Sequence, residues 1–155
     1  MKTAFRVRAL AALALGLALS ATAAAEVKAS GGWARATTPG AKTAAGYLTF
    51  TNSGEEERSL LKITSPVSDE VTLHRTSIDE KGMTRMWPMA KLVLEPGETL
   101  RLEPSGIHVM FGKLKTALAA GQKVPLTIKF DGGEPEFTVM LEVMPLTTVE
   151  GPARH

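Results

Sequence analysis

An all-β domain, built as a Greek-key sandwich or barrel, is the fold this sequence predicts, and three observations predict it. After residue 25 the chain breaks into eight to ten short runs of β-branched and apolar residues. Gly, Pro, Asn or Asp separates the runs, and no stretch carries the 3.6-residue apolar period of a helix. Runs at that spacing, in one domain of about 130 residues, fit an antiparallel two-sheet sandwich with Greek-key connections.

The first 25 residues stand apart. Lys2, Arg6 and Arg8 give a positive start, Ala9 to Leu19 an apolar stretch, and Ala23-Ala24-Ala25 a small-residue cleavage site, the three parts of a secretory signal. Cleavage is expected before Glu26, leaving a domain over 26–146 and a loose, Pro- and Gly-containing tail over 147–155. The apolar stretch falls short of the roughly 20 residues a membrane span needs, and no later segment approaches that length. The mature protein is therefore expected to be soluble and exported, without a membrane span.

From Val27 onward each element has its own justification. The first strand, Val27 to Ala36, runs into Thr38-Pro39-Gly40, and the second, Ala44 to Thr51, into Asn52-Ser53-Gly54. Ser59 to Thr64 follows the charged Glu55-Glu56-Glu57 turn. Glu70 to Thr76 alternates, with Val71 and Leu73 facing one way and Thr72 and His74 the other. Beyond Asp79-Glu80-Lys81-Gly82, the run Met83 to Trp87 reads as its hairpin partner. Lys91 to Leu94 and Thr99 to Leu102 flank Glu95-Pro96-Gly97, and Pro104-Ser105-Gly106 precedes His108 to Phe111. Lys113 to Ala120 has the composition for one or two helical turns. Val124 to Phe130 and Glu136 to Met144 flank Asp131-Gly132-Gly133, and in the last strand Phe137, Val139, Leu141 and Val143 form the core face.

Charge and cysteine usage narrow the function. Removing Lys2, Arg6 and Arg8 from 18 basic residues leaves 15 against 16 acidic ones, a formal charge of −1. Neither a nucleic acid nor an anionic membrane is thus indicated as partner. With no Cys there is no disulfide, thiolate nucleophile or thiolate metal site, and any soft-metal chemistry must use Met and His.

In the strand His108 to Phe111, His108 and Met110 share a face about 6.5–7 Å apart, while Ile107, Val109 and Phe111 point to the core. His74 alternates in the same way, and Met83, Met86 and Met89 follow just past a turn. Thioether and imidazole without Cys or carboxylate select Cu(I), since zinc prefers Cys, His and carboxylate, and calcium or magnesium needs oxygen. The missing Cys excludes a blue-copper centre.

The spacing His74, Arg75, ten residues, Met86, 21 residues, His108-Val109-Met110 resembles the H(M)x10Mx21HxM motif of the PCu(A)C family of periplasmic copper(I) chaperones. Trp33-Ala34-Arg35, Ala45-Gly46-Tyr47-Leu48 and Thr51-Asn52-Ser53-Gly54 extend the resemblance. It implies a cupredoxin-like fold in which His74, Met86, His108 and Met110 hold one Cu(I). It also implies delivery to the copper centre of cytochrome c oxidase, at subunit II or through a Sco-type thiol chaperone. Arg75 stands where relatives often carry a further Met, placing a charge beside the expected ion. The tail offers only His155 for the second Cu(II) site of some relatives.

Trp87 either shields the ion with its ring or packs at the sheet edge, the second being the commoner role. Met83 and Met89 are expected as a soft rim, and Met140 and Met144 as core filler. No GxSxG or HExxH motif is present, and the expectation is a monomeric carrier, not an enzyme. Copper sequestration for tolerance, or an interaction module without metal, are the competing readings.

Overall fold

Ten strands form where the breakers leave room for them: β1 (Val27–Arg35), β2 (Ala44–Asn52), β3 (Arg58–Thr64), β4 (Ser68–Ile78), β5 (Thr84–Pro88), β6 (Val93–Leu94), β7 (Thr99–Arg101), β8 (Ile107–Leu114), β9 (Lys123–Phe130) and β10 (Phe137–Met144). This computed structural model describes residues 26–151; the expected signal segment 1–25 and residues 152–155, His155 among them, lie outside the described residues. The all-β expectation holds, and among the described residues there is no helix.

The strands hydrogen-bond in the order β5-β4-β8-β2-β1-β10-β9-β3-β6. One edge of β2 serves two partners, β8 through Ala44–Gly46 and β7 through Thr49–Thr51. The sheet encloses a single apolar cluster that includes Leu48, Phe50, Leu73, Val109, Phe111 and Leu141, with Phe50 and Phe130 meeting edge to face at 5.4 Å. On β10, Leu141 and Val143 are buried with Phe137 and Val139 packed against the cluster, as the alternation predicts. Met140 and Met144 are not core filler. They share the outward face with Thr138 and Glu142, and Met140 is 51 % exposed.

Two further expectations give way to tertiary context. The sheet is mixed, because β1 and β10 run parallel, Trp33 against Glu142 and Arg35 against Met144. A parallel pair needs a long crossover, and here the whole domain between the two strands supplies it. Lys113 to Ala120 forms no helical turn: β8 continues to Leu114, Lys113 takes a left-handed φ of 50°, and Leu114 and Leu118 turn into the core. Burial of the two leucines overrides the helical propensity of a Lys- and Ala-rich segment.

Candidate metal centre

The three strands β5, β4 and β8 position the four predicted donors. In the β4–β8 ladder His74 lies directly opposite His108 and Thr72 opposite Met110. In the β4–β5 ladder Met86 lies opposite Thr76, and Pro88 opposite His74. Paired residues share a face, as do residues two apart on one strand, so His74, Met86, His108 and Met110 all stand on one side of the sheet. It is the outer side, because Leu73, Val109 and Phe111 occupy the core side. Met86 and Met110 flank the histidine pair diagonally, and a diagonal step spans roughly 7–8 Å, within reach of long side chains.

The histidine pair has defined geometry. Thr76 N–H donates to Gly106 C=O at 3.0 Å, which makes His74 and His108 a hydrogen-bonded pair with Cα atoms about 5.5 Å apart. Their rings lie nearly parallel, 26° between planes and 6.1 Å between centroids. His108 Nδ1 is 3.2 Å from the Gly106 carbonyl, which only accepts, so Nδ1 carries the proton and Nε2 presents the lone pair. Burial lowers the His108 pKa below the usual histidine value, with the His74 charge adding to the shift and the Gly106 carbonyl opposing it. Neutral imidazole is the form a soft cation binds. His74 Nδ1 sits 3.3 Å from Thr72 Oγ1, a hydroxyl able to donate or accept, which leaves its tautomer free to follow the ion.

A row of rings supports His108 from the other side. Trp33 on β1 registers with Tyr47 on β2, centroids 4.4 Å apart, and Tyr47 stands 6.3 Å from His108. Trp33 and Tyr47 are buried, so His108 backs onto a packed aromatic wall. Arg35 completes this layer. Its Nε is buried with no hydrogen-bond partner among the described residues, its charge acts on Tyr47, and it lines a groove with Ala45, Met110 and Leu146. Burial raises the Tyr47 pKa and Arg35 partly offsets the rise. The motif spacing assigns no place to Trp33, Arg35 or Tyr47. The same alternation that selected His108 and Met110 also puts these three on the outer face.

Several expected neighbours lie elsewhere. Arg75, one residue after His74, faces the reverse side opposite Trp87, so neither brings its side chain to the outer face where the donors stand. This corrects the expectation of a charge beside the ion, and it places Trp87 at the sheet edge. Met89 packs against the core, its N–H bonded to Leu73 C=O at 2.8 Å, whereas Met83 is exposed beyond the turn. Met86 remains 49 % exposed, and Met110 is half-buried.

Among the described residues no cluster of three His, Cys, Asp or Glu exists that would suit a hard or borderline cation. The outer face of β5-β4-β8 instead offers two imidazoles and two thioethers, a donor set for a soft monovalent ion.

Known proteins agree with this architecture. Over 78 % of this chain and 94 % of its own length, the structure titled "Copper-bound PCuAC domain from PmoF2" superimposes with a TM-score of 0.65 at 21 % identity. The solution structure of apo-DR1885 from Deinococcus radiodurans covers 98 % of this chain and 100 % of its own, with a TM-score of 0.59 at 27 % identity. The structure titled CuI-DR1885 covers 77 % of each chain at 26 % identity, with a TM-score of 0.51. The fold is therefore that of PCuAC domains. In sequence, the chain is 32 % identical over 107 residues to "Putative lipoprotein Lxx21020" of Leifsonia xyli subsp. xyli (strain CTCB07). That match takes in 69 % of this chain and 63 % of the relative's length. A family profile described as "Putative lipoprotein LpqE-like" matches residues 27–143, nearly all of the described strands, and the chain belongs to the LpqE-like family.

Proposed function

We propose that this protein is a copper(I) carrier: His74, Met86, His108 and Met110 bind one Cu(I) on the outer face of β5-β4-β8 and release it to an acceptor. One observation carries the reading, the direct pairing of His74 with His108 with a methionine one diagonal step away on either side. Neutral thioethers need no deprotonation and hold Cu(I) without adding charge, yet yield it to thiolate, the stronger soft donor. Transfer from Met and His toward Cys is thus downhill, and the lack of Cys in this chain fits the donor role. Similarity to DR1885, solved as apo and CuI forms, supports copper as the cargo.

The rest of the reading is proposed on the same footing. Residues 1–25 act as an export signal cleaved before Glu26, residues 26–146 form the copper-binding domain, and 147–155 the tail. The protein works as a monomer in the periplasm, binding and passing on copper without catalysis. It supplies the copper centre of cytochrome c oxidase at subunit II, directly or through a Sco-type protein. Anaerobic titration of Cu(I) against a chromogenic competitor tests the binding: about one equivalent is expected. No competition by the wild-type protein would dismiss the carrier reading. Oxidase activity in a deletion strain under copper limitation tests the destination, and normal activity there would remove delivery from the proposal.

A further inference from the structure

Among the described residues β5 is the outermost strand of its side of the sheet, paired only with β4. The bonds Asp79 N–H to Met83 C=O and Met89 N–H to Leu73 C=O bracket that ladder and fix its phase. In an antiparallel pair hydrogen-bonded and non-bonded positions alternate. Arg75 with Trp87 and Ser77 with Arg85 are therefore the bonded pairs. Thr84 and Met86 turn their backbone N–H and C=O groups away from β4, toward solvent, and Pro88 adds a carbonyl but no N–H.

Met86 thus has two roles at the edge. Its side chain stands on the outer face with His74, and its backbone is an open docking point. An extended segment pairing with β5 would be anchored at Thr84 and Met86. The residue opposite Met86 would place its own side chain on the same outer face, about 4.5–5.5 Å away between Cβ atoms.

Charge on the hairpin selects the occupant. Residues 75–91 carry four basic and two acidic side chains. Arg85 is paired with Asp79 at 3.3 Å, which leaves Arg75, Lys81 and Lys91 against the single acidic Glu80 in the charge balance of this segment. A second copy of this chain would bring like charge to like, whereas an acidic segment is complementary. Ile78 (68 % exposed), Met83 (57 %) and Trp87 (44 %) add apolar surface beside the edge. The strand is only five residues long and stops at Pro88, which suits brief contact and resists edge-to-edge aggregation.

We infer that the open edge of β5 is the docking site for an acidic, extended, cysteine-bearing segment of the copper acceptor, which adds as a strand and sets its thiol beside Met86. The inference rests on the carrier reading for the hand-off but not for the docking. In the hand-off the thiol proton passes to water, a Cu–S bond to the acceptor forms as the bond to Met86 breaks, and the bonds to Met110, His108 and His74 then break as copper leaves with the acceptor. Copper stays Cu(I) throughout, and no oxidant or reductant is needed.

The test uses 15N-labelled protein and a ten-residue peptide alternating Val and Glu with one central Cys. With metal-free protein, the Thr84 and Met86 amides should shift and gain exchange protection, while Arg85 and Trp87, already bonded to β4, gain none. Replacing Glu by Lys in the peptide, or Lys81 and Lys91 by Glu in the protein, should weaken binding at least tenfold. Thr84→Pro removes an outward N–H and leaves all four donors. Its Cu(I) affinity should match wild type, while Cu(I) transfer to the peptide slows at least tenfold. A peptide with Ser for Cys should dock without taking copper. No edge shifts at millimolar peptide, or a Thr84→Pro transfer rate equal to wild type, overturns the inference. Docking by a protein that binds no Cu(I) would overturn only the carrier reading.

Discussion

His74 and His108 occupy the same rung of the β4–β8 ladder, their rings nearly parallel and 6.1 Å apart. If, as proposed, two donors so placed serve one ion jointly, the energetics should show it. His74→Ala and His108→Ala are each expected to weaken Cu(I) binding tenfold or more, about 1.4 kcal/mol or beyond. The double variant should lose much less than the sum of the two, because the second removal acts on a site already broken. Competitor titration of all four proteins measures this, and simple additivity would mean that the histidines bind separately.

In the proposed site Met86 and Met110 contribute sulfur, not hydrophobic bulk. Leucine at either position keeps the volume and removes the donor, so folding stability should change by less than about 1.5 kcal/mol while Cu(I) affinity falls. Met83→Leu and Met140→Leu, both exposed and off the site, should leave affinity unchanged. Equal loss from all four substitutions would point to a diffuse methionine surface instead of a centre.

Face parity gives a sharper discrimination. Arg75→Met restores the motif's optional sulfur, but position 75 faces the reverse side with Trp87. The substitution should therefore leave Cu(I) affinity within about threefold of wild type, and Trp87→Phe should do the same. A clear gain from Arg75→Met in the same titration would mean the strand turns over on loading.

Beneath the site, the sheet depends on a missing side chain. A Cβ at Gly46 would come within 2.9 Å of Phe111 Cε2 and 3.1 Å of Leu141 Cδ1, both buried. Gly46→Ala is expected to cost roughly 1–3 kcal/mol by overpacking. It should lower the urea midpoint at unchanged m-value.

The turn that carries Met86 has its own pH limit. The Asp79 carboxylate accepts from Met83 N–H at 2.9 Å, Lys81 N–H at 3.0 Å and Arg85 Nε at 3.3 Å. The Met83 bond first, with Lys81 and Arg85 adding to it, holds its pKa below the usual value against a smaller effect of burial. A depressed folded pKa contributes stability above the unfolded value, near 4, that is lost as pH falls through the folded one. The melting-temperature gap between wild type and Asp79→Ala should therefore be widest above pH 5 and close on acidification. A gap independent of pH would disprove the role of the charge.

Much of this was legible in the chain because breakers and alternation are local signals. All ten strands coincide with expected runs, and His108 and Met110 announced their shared face by being two apart. The pairing of β1 with β10 was not legible, since nothing within either strand names a partner over a hundred residues away. Nor was the rung that sets His74 against His108, which is a matter of register between strands. Arg75 and Trp87 are different. Adjacent to His74 and Met86 in sequence, they had to face the other way in any strand, and parity alone would have excluded them.

The parallel seam between β1 and β10 also orders events in time. A chain that emerges N-terminus first, from a ribosome or a translocation pore, has made β4, β5 and β8 by Leu114, while β1 must wait for residues 137–144 to gain its second neighbour. The histidine and methionine face is therefore complete in sequence well before the domain can close around its core. Closure over such separations is slow by the standards of small domains, on the order of milliseconds to seconds. During that interval the metal-ready strands lie in a sheet whose far side is still open, and the last strand made is the one that seals the first.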